Sequence, residues 1–299
     1  MIYQHPLAYL LGLEGLALLR SWAGDENYDE RFVRERFAAV RALLDDPELA
    51  SHPGVLIEPN ATESAYAEWA GSYDDPGNGL FDLDAPLINA LVAELPRGRA
   101  IDAACGTGRL ASQLAALGFQ TIGVDNSPAM LERARASAAD VAFAVGELTA
   151  LPLPAAKADL VVTGLALTHV VDLTPVYAEF ARVLGPGGDL VVSDVHEDLV
   201  FLGSVVKANG PDGRPQLATT ARHSTADHLV AALSAGFSVV SYEETPRRPS
   251  TPQDPLPERT REIGDWRLWP WTLLGFDPAA TRAAWNNPAI AVWHFRRTR

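Results

Sequence analysis

Over the first 95 residues the apolar positions keep a helical rhythm. Phe32, Phe37, Val40 and Leu44 predict a helix over 29–44. The run 6–22 is apolar on nearly every side and broken only by Glu14, so it predicts a helix that must be covered by the domain, a ligand or another subunit. A break at Pro47–Pro59 follows. Two more helices are expected at 64–72 and 85–95, separated by the turn-rich DDPGNG at 74–79.

From Arg99 the pattern changes to short apolar runs alternating with amphipathic ones. Strands are expected at 100–104, 121–124, 141–145, 160–164, 190–195 and 238–242, with helices at 109–117, 128–138, 175–184 and 225–235. This alternation predicts an α/β fold, a doubly wound, mostly parallel sheet with helices on both faces. The punctuation agrees. Gly118 and Gly236 stand where helices end, Ser127-Pro128 reads as an N-cap followed by proline, and Ser224 with Asp227 resembles a capping box. The stretch 246–265 is rich in Pro, Arg and Thr and reads as a long loop or lid. It leads to Trp266, Trp269, Trp271, Phe276 and Trp285. The run AIAVWHF at 289–295 predicts a closing strand antiparallel to 238–242. The expected organisation is a helical cap or substrate lid over 1–95, then an α/β domain over 96–299 with a loop-rich insertion at 246–288.

Composition narrows the picture. With 47% hydrophobic and 21% charged residues the chain can build a sizeable core. Cys105 is the only cysteine, which excludes an internal disulfide and a cysteine-based zinc site, and a cytoplasmic location is expected. Residues 1–6 carry no basic start of a signal peptide. The apolar segment 7–19 is shorter than the roughly 20 residues of a membrane span, so no membrane is expected. Net charge is −14. An acidic surface repels phosphate backbones, which disfavours nucleic acid as a partner, although Arg247, Arg248 and Arg296–Arg299 make the tail locally basic.

The chemistry concentrates at AIDAACGTGRL, residues 100–110. A strand runs into a loop carrying Gly106 and Gly108, and a helix starts at once. Such glycines let a ligand approach the backbone. The next predicted strand ends at Asp125, whose carboxylate suits the two hydroxyls of a ribose. The loop by itself also matches a dinucleotide fingerprint. Asp102, four residues ahead of Gly106, separates the readings, because a carboxylate at that strand end suits a cationic ligand.

These residues resemble the class I S-adenosylmethionine-dependent methyltransferases over about 64–245. DAACGTG at 102–108 resembles the family's first motif, with Ala104 where many members have glycine. NSPAML at 126–131 resembles the usual continuation of the acid at Asp125. GELTALP at 146–152 resembles the adenine-placing stretch, with Glu147 replacing the common Asp, and RVLGPGG at 182–188 resembles the turn before the fifth strand. The resemblance implies S-adenosyl-L-methionine as cofactor, held by Tyr73, Asp102, Ala104, Gly106, Gly108, Asp125, Asn126, Met130, Gly146, Glu147, Leu148 and Leu165. It also implies methyl transfer to an O, N or C nucleophile of a small-molecule acceptor.

His169 and His196 follow the fourth and fifth predicted strands, where open α/β sheets bind ligands, and are the candidate proton acceptors. His223 and His228 read as helix-start and surface residues. No ligand-spaced motif supports a metal. Trp266 and Trp269 are candidates to hold a cationic group. A homodimer through the apolar first helix is one way of covering it. Two rival readings are a non-catalytic, cofactor-sensing protein on the same fold and a nicotinamide-dependent oxidoreductase.

Overall fold

The structure is a computed structural model and describes residues 1–25, 27–59, 79–210, 212–246 and 254–298. The expected helix at 64–72, Tyr73, and Arg247, Arg248 and Arg299 lie outside the described residues.

The elements in chain order are β1 (Ile2–Gln4), α1 (Pro6–Trp22), α2 (Glu30–Leu44), α3 (Pro47–Ser51), β2 (Val55–Pro59), α4 (Phe81–Ala93), β3 (Arg99–Ala103), α5 (Arg109–Ala116), β4 (Gln120–Asp125), α6 (Pro128–Ser137), β5 (Ala142–Val145) and β6 (Ala158–Gly164). A 3-10 turn (Leu167–His169) follows, then α7 (Thr174–Val183), β7 (Leu184–Val195), α8 (Glu197–Phe201), β8 (Lys207–Asn209), β9 (Pro215–Leu217), α9 (Thr225–Ser234), β10 (Phe237–Pro246), α10 (Pro278–Trp285) and β11 (Pro288–Arg297). They form two compact units.

The larger unit holds a seven-stranded sheet of order β10-β11-β7-β6-β3-β4-β5. Strands β7, β6, β3, β4 and β5 are parallel, and β11 runs antiparallel between β10 and β7. The central strands are apolar on both faces, as a sheet covered by helices on each side requires. Period-2 alternation divides them. Ile101, Val161 and Val192 pack on one face with Val176, Tyr177 and Phe180 of α7 and Ala231 and Ala232 of α9. Ala100, Leu160, Val162 and Val191 pack on the other with Ile88 and Val92 of α4 and Leu110 and Leu114 of α5. The sheet is therefore doubly wound as the alternation predicts, and the closing strand takes its expected antiparallel place. The sequence reading assigns α4 to an N-terminal cap, whereas here it is a helix of the large sheet.

The smaller unit is assembled from three stretches, 1–59, 202–217 and 254–287. Its four-stranded sheet, β1-β2-β9-β8, was not expected from sequence. Strands of three to five residues show too little periodicity to be read, and apart from the β8–β9 hairpin their pairing partners lie far away along the chain. Within this unit α1 packs against α2 and α10. That packing buries Leu10, Leu13 and Ala17, while Trp22 stays exposed. Glu14, the acid that interrupts the apolar run, is buried with Arg36 at 3.4 Å, and Arg36 also pairs with Asp277 at 2.6 Å. Burial pushes the Glu14 carboxyl up to about 7 despite Arg36. No helix among the described residues is long and apolar enough to cross a membrane.

Candidate active site

The loops leaving the carboxyl ends of β3, β4, β5 and β6 enclose a cavity of about 330 Å³ in the larger unit. Volumes of roughly 300–1,000 Å³ are typical of small-ligand sites. Its wall brings together nine of the expected site residues: Ala104, Gly106, Asp125, Asn126, Met130, Gly146, Glu147, Leu148 and Leu165. His169 also lines it. Leu151, from the GELTALP stretch, and Val124, Val170 and Val176, which carry no signal beyond apolarity, complete much of the apolar surface.

Asp125 is the anchor of the loops. Its carboxylate accepts the Gly106 N–H through Oδ2 and the Ser127 N–H through Oδ1, each at 2.8 Å. Each oxygen has lone pairs beyond these bonds. Burial raises the Asp125 carboxyl above the usual range, and the Ser127 and Gly106 amides oppose that shift. Ser127 caps α6, accepting from the Met130 N–H at 3.4 Å, so the cap directs Met130 into the wall. Asn126 and Glu147 meet at the rim, 3.4 Å apart at their nearest.

Ala104 and Leu165 adopt left-handed backbone, at φ 58° and 56°. Non-glycine residues there carry strain of about 1–2 kcal/mol each, and such positions collect at binding sites. Gly106 shares this conformation at φ 53° and borders the cavity. Gly108 does not border it. It sits at φ 85° at the head of α5, where a Cβ would come within 3.1 Å of Phe143 and 3.2 Å of Ala134. Its need for glycine comes from this left-handed backbone and from packing.

Asp102 lies behind the wall rather than in it. One carboxylate oxygen accepts the Ala111 N–H of α5 at 2.7 Å, and the other is buried without a hydrogen-bond partner. Burial pushes this carboxyl up to about 7, with the α5 amide and Arg109 opposing the shift. Beside it lies a group the sequence did not announce. Asp84 of α4, fully buried, accepts from Arg109 at 2.8 Å and from the Ser193 hydroxyl at 3.1 Å. An acid in the first turn of an apolar helix gives no sign of a partner 25 residues away.

The two histidines part company. In His169, Nδ1–H donates to the Thr219 carbonyl at 2.8 Å. A carbonyl only accepts, so in the neutral ring Nε2 keeps the lone pair. Burial lowers the His169 pKa, favouring that neutral form. His196 is not in the cavity wall. Its Nδ1 accepts the Asp198 N–H at 3.2 Å at the start of α8, and Nε2 faces Glu244 at 3.4 Å. His228 is a correction. Expected at the surface, it is buried, stacked on Trp293 with centroids 4.2 Å apart, and its Nδ1 shares a hydrogen bond with the Tyr177 hydroxyl at 2.9 Å. Burial depresses it to about 3. His223 ends at the Val170 carbonyl, 2.6 Å away. Trp266 and Trp269 belong to the core of the smaller unit. Among the described residues no group of three or more His, Cys, Asp or Glu is placed to hold a metal.

A family model described as methyltransferase domain matches residues 101–192. An uncharacterized methyltransferase of Emericella nidulans is 30% identical over 233 residues, which cover 64% of this chain and 81% of that protein. A malonyl-[acyl-carrier protein] O-methyltransferase of Serratia marcescens is 31% identical over 46% of this chain, and the match spans only 53% of its own length. Among solved structures, the DhpI–SAH complex has a TM-score of 0.52 at 20% identity, covering 79% of this chain and 95% of that one. The glycine loop, the acid closing β4 and the antiparallel last strand thus stand in one architecture, and the chain belongs to the S-adenosylmethionine-dependent methyltransferases.

Proposed function

We propose that this protein transfers a methyl group from S-adenosylmethionine to an O, N or C nucleophile of a small-molecule acceptor. One observation carries the reading. The cavity at the strand ends is walled by left-handed backbone at Ala104, Gly106 and Leu165 and anchored by Asp125, whose carboxylate holds two loop amides and retains acceptor capacity. This donor and acceptor set fits a nucleoside. The Asp125 carboxylate would take the ribose hydroxyls, Met130, Leu148 and Leu151 offer apolar surface to a base, and the bare backbone at Gly106 admits close approach. When bound, the cofactor supplies an electrophilic methyl on a sulfonium centre.

The protein then has to position the acceptor and accept at most one proton. His169 is the residue we assign to the proton. It stands in the wall, its Nδ1–H is fixed by the Thr219 carbonyl, and burial keeps the ring neutral.

Calorimetric titration with S-adenosylhomocysteine tests this reading. We expect saturable 1:1 binding, weakened in Asp125→Ala by about 2–3 kcal/mol through loss of two charge-assisted hydrogen bonds. Unchanged affinity in a folded variant would remove Asp125 from the site.

A further inference from the structure

The turn that presents His169 to the cavity is held from three directions. The Thr168 carbonyl accepts the Ala221 N–H at 2.7 Å, while the Thr168 hydroxyl donates to the Ala221 carbonyl at 3.2 Å. The His169 ring reaches the Thr219 carbonyl at 2.8 Å. These two ties run to residues 219–221, which belong to no strand or helix. The third comes from the sheet. Asp194, near the end of β7, accepts the Thr168 N–H through Oδ1 at 3.2 Å, and the same oxygen takes the Val195 N–H at 2.9 Å.

An acid is a costly means of holding one turn. Asp194 is 1% exposed, and its Oδ2 is buried without a hydrogen-bond partner. A buried acceptor left unpaired is unfavourable, and a charged one more so, which calls for an explanation. Facing Oδ2 is Nε2 of His228, 3.6 Å away and beyond ordinary hydrogen-bond length. The other nitrogen of that ring shares its hydrogen bond with the Tyr177 hydroxyl. A carboxylate only accepts, so an ionised Asp194 favours the His228 tautomer with hydrogen on Nε2, which leaves Nδ1 to accept from Tyr177. A buried polar line thus runs from Tyr177 on α7 through His228 on α9 and Asp194 on β7 to the backbone beside His169.

We propose that Asp194 is a positioning residue, fixing the turn Leu167–His169 through the Thr168 amide and so setting the direction of the His169 ring. The proposal rests on the reading of His169 as the wall residue that takes the proton. Asp194 stands outside the cavity wall and acts only through the turn.

The assignment has a signature separate from turnover. Burial pushes the Asp194 carboxyl up to about 7, with the Val195 and Thr168 amides opposing the shift. The titratable groups facing it are His228 and, through that ring, Tyr177, with His223 edge-on to His228 at 5.7 Å between centroids. Burial depresses His228 to about 3 and holds Tyr177 well above its ordinary range, so Asp194 is the member of the line that titrates near neutral pH. As it ionises with rising pH, its bond to the Thr168 amide becomes charge-assisted and strengthens.

The experiment is nuclear magnetic resonance of the full chain, labelled with ¹³C and ¹⁵N. In the unaltered protein the Asp194 carboxyl carbon and the Thr168 amide should shift together, with a common midpoint near pH 7. His169 should show two well-separated ring-nitrogen resonances, the hydrogen on Nδ1. In Asp194→Ala that separation should be lost as the tautomers mix. Asp194→Asn, whose amide oxygen still accepts from Thr168, should restore it. A Thr168 amide that ignores the Asp194 titration in the unaltered protein would overturn the proposal however the variants fold. So would a folded Asp194→Ala with unchanged His169 resonances, or a folded Asp194→Asn that loses their separation. Saturating the unaltered protein with S-adenosylhomocysteine checks the underlying reading separately. If the His169 resonances stay where they were, that reading falls and this proposal with it, whatever Asp194 does to the turn.

Discussion

At the residue scale the two loop glycines make a sharp contrast. A branched side chain at Gly106 would occupy both a left-handed backbone and the cavity wall. Gly106→Val should therefore remain folded by circular dichroism yet show no binding of S-adenosylhomocysteine. Gly108 faces Phe143 and Ala134 instead, so Gly108→Ala should lower stability by about 1–2 kcal/mol while ligand affinity barely moves. Identical effects on binding would merge the two roles. Asp102 gives a prediction in pH. Its carboxyl rises from 3.8 to about 7 on folding, so its stabilising contribution is present at low pH and is lost as pH climbs from about 4 through about 7. Asparagine does not titrate. The melting temperature of apo Asp102→Asn, relative to the parent, should thus climb across that interval, and a constant difference would contradict the buried, unpaired placement.

At the element scale, what was legible in the sequence is what repeats within one element or follows it directly. The strands β3, β4 and β6 announce themselves by consecutive apolar residues, and the acids and glycines at their ends follow within a few positions, which is why nine of the expected residues meet in one cavity wall. Gly108 shows the limit. A motif marks that glycine is required without saying whether ligand or packing requires it. His196 and His228 show another. Both lie near strand ends or helix starts, but imidazole direction is decided by partners far along the chain, Glu244 for one and Tyr177 for the other. The Asp84–Arg109 pair depends on α4 meeting α5 across a sheet face, which no local pattern encodes. Burial could not be foreseen for Glu14 either, since the pattern registers it only as an interruption.

At the scale of the whole molecule the chain is interrupted rather than appended. The smaller unit draws Leu10, Leu43, Leu49 and Ile57 from the N-terminal stretch into one cluster with Ile263, Trp266, Trp269, Leu273 and Phe276. Deleting residues 1–60 would leave five large apolar side chains without their partners, four of the nine being removed. The truncated protein should aggregate or lose its cooperative melting transition. A soluble, monodisperse truncation by size-exclusion chromatography would contradict the shared core. The central claim concerns the larger unit: the cavity between the loops after β3, β4, β5 and β6 holds the cofactor. A crystal structure of the full chain with S-adenosylhomocysteine tests it most directly. Ribose hydroxyls should lie on the Asp125 carboxylate, with the base against Met130 and Leu148. Ligand density elsewhere, with the Asp125 cavity empty at saturating concentration, would contradict it.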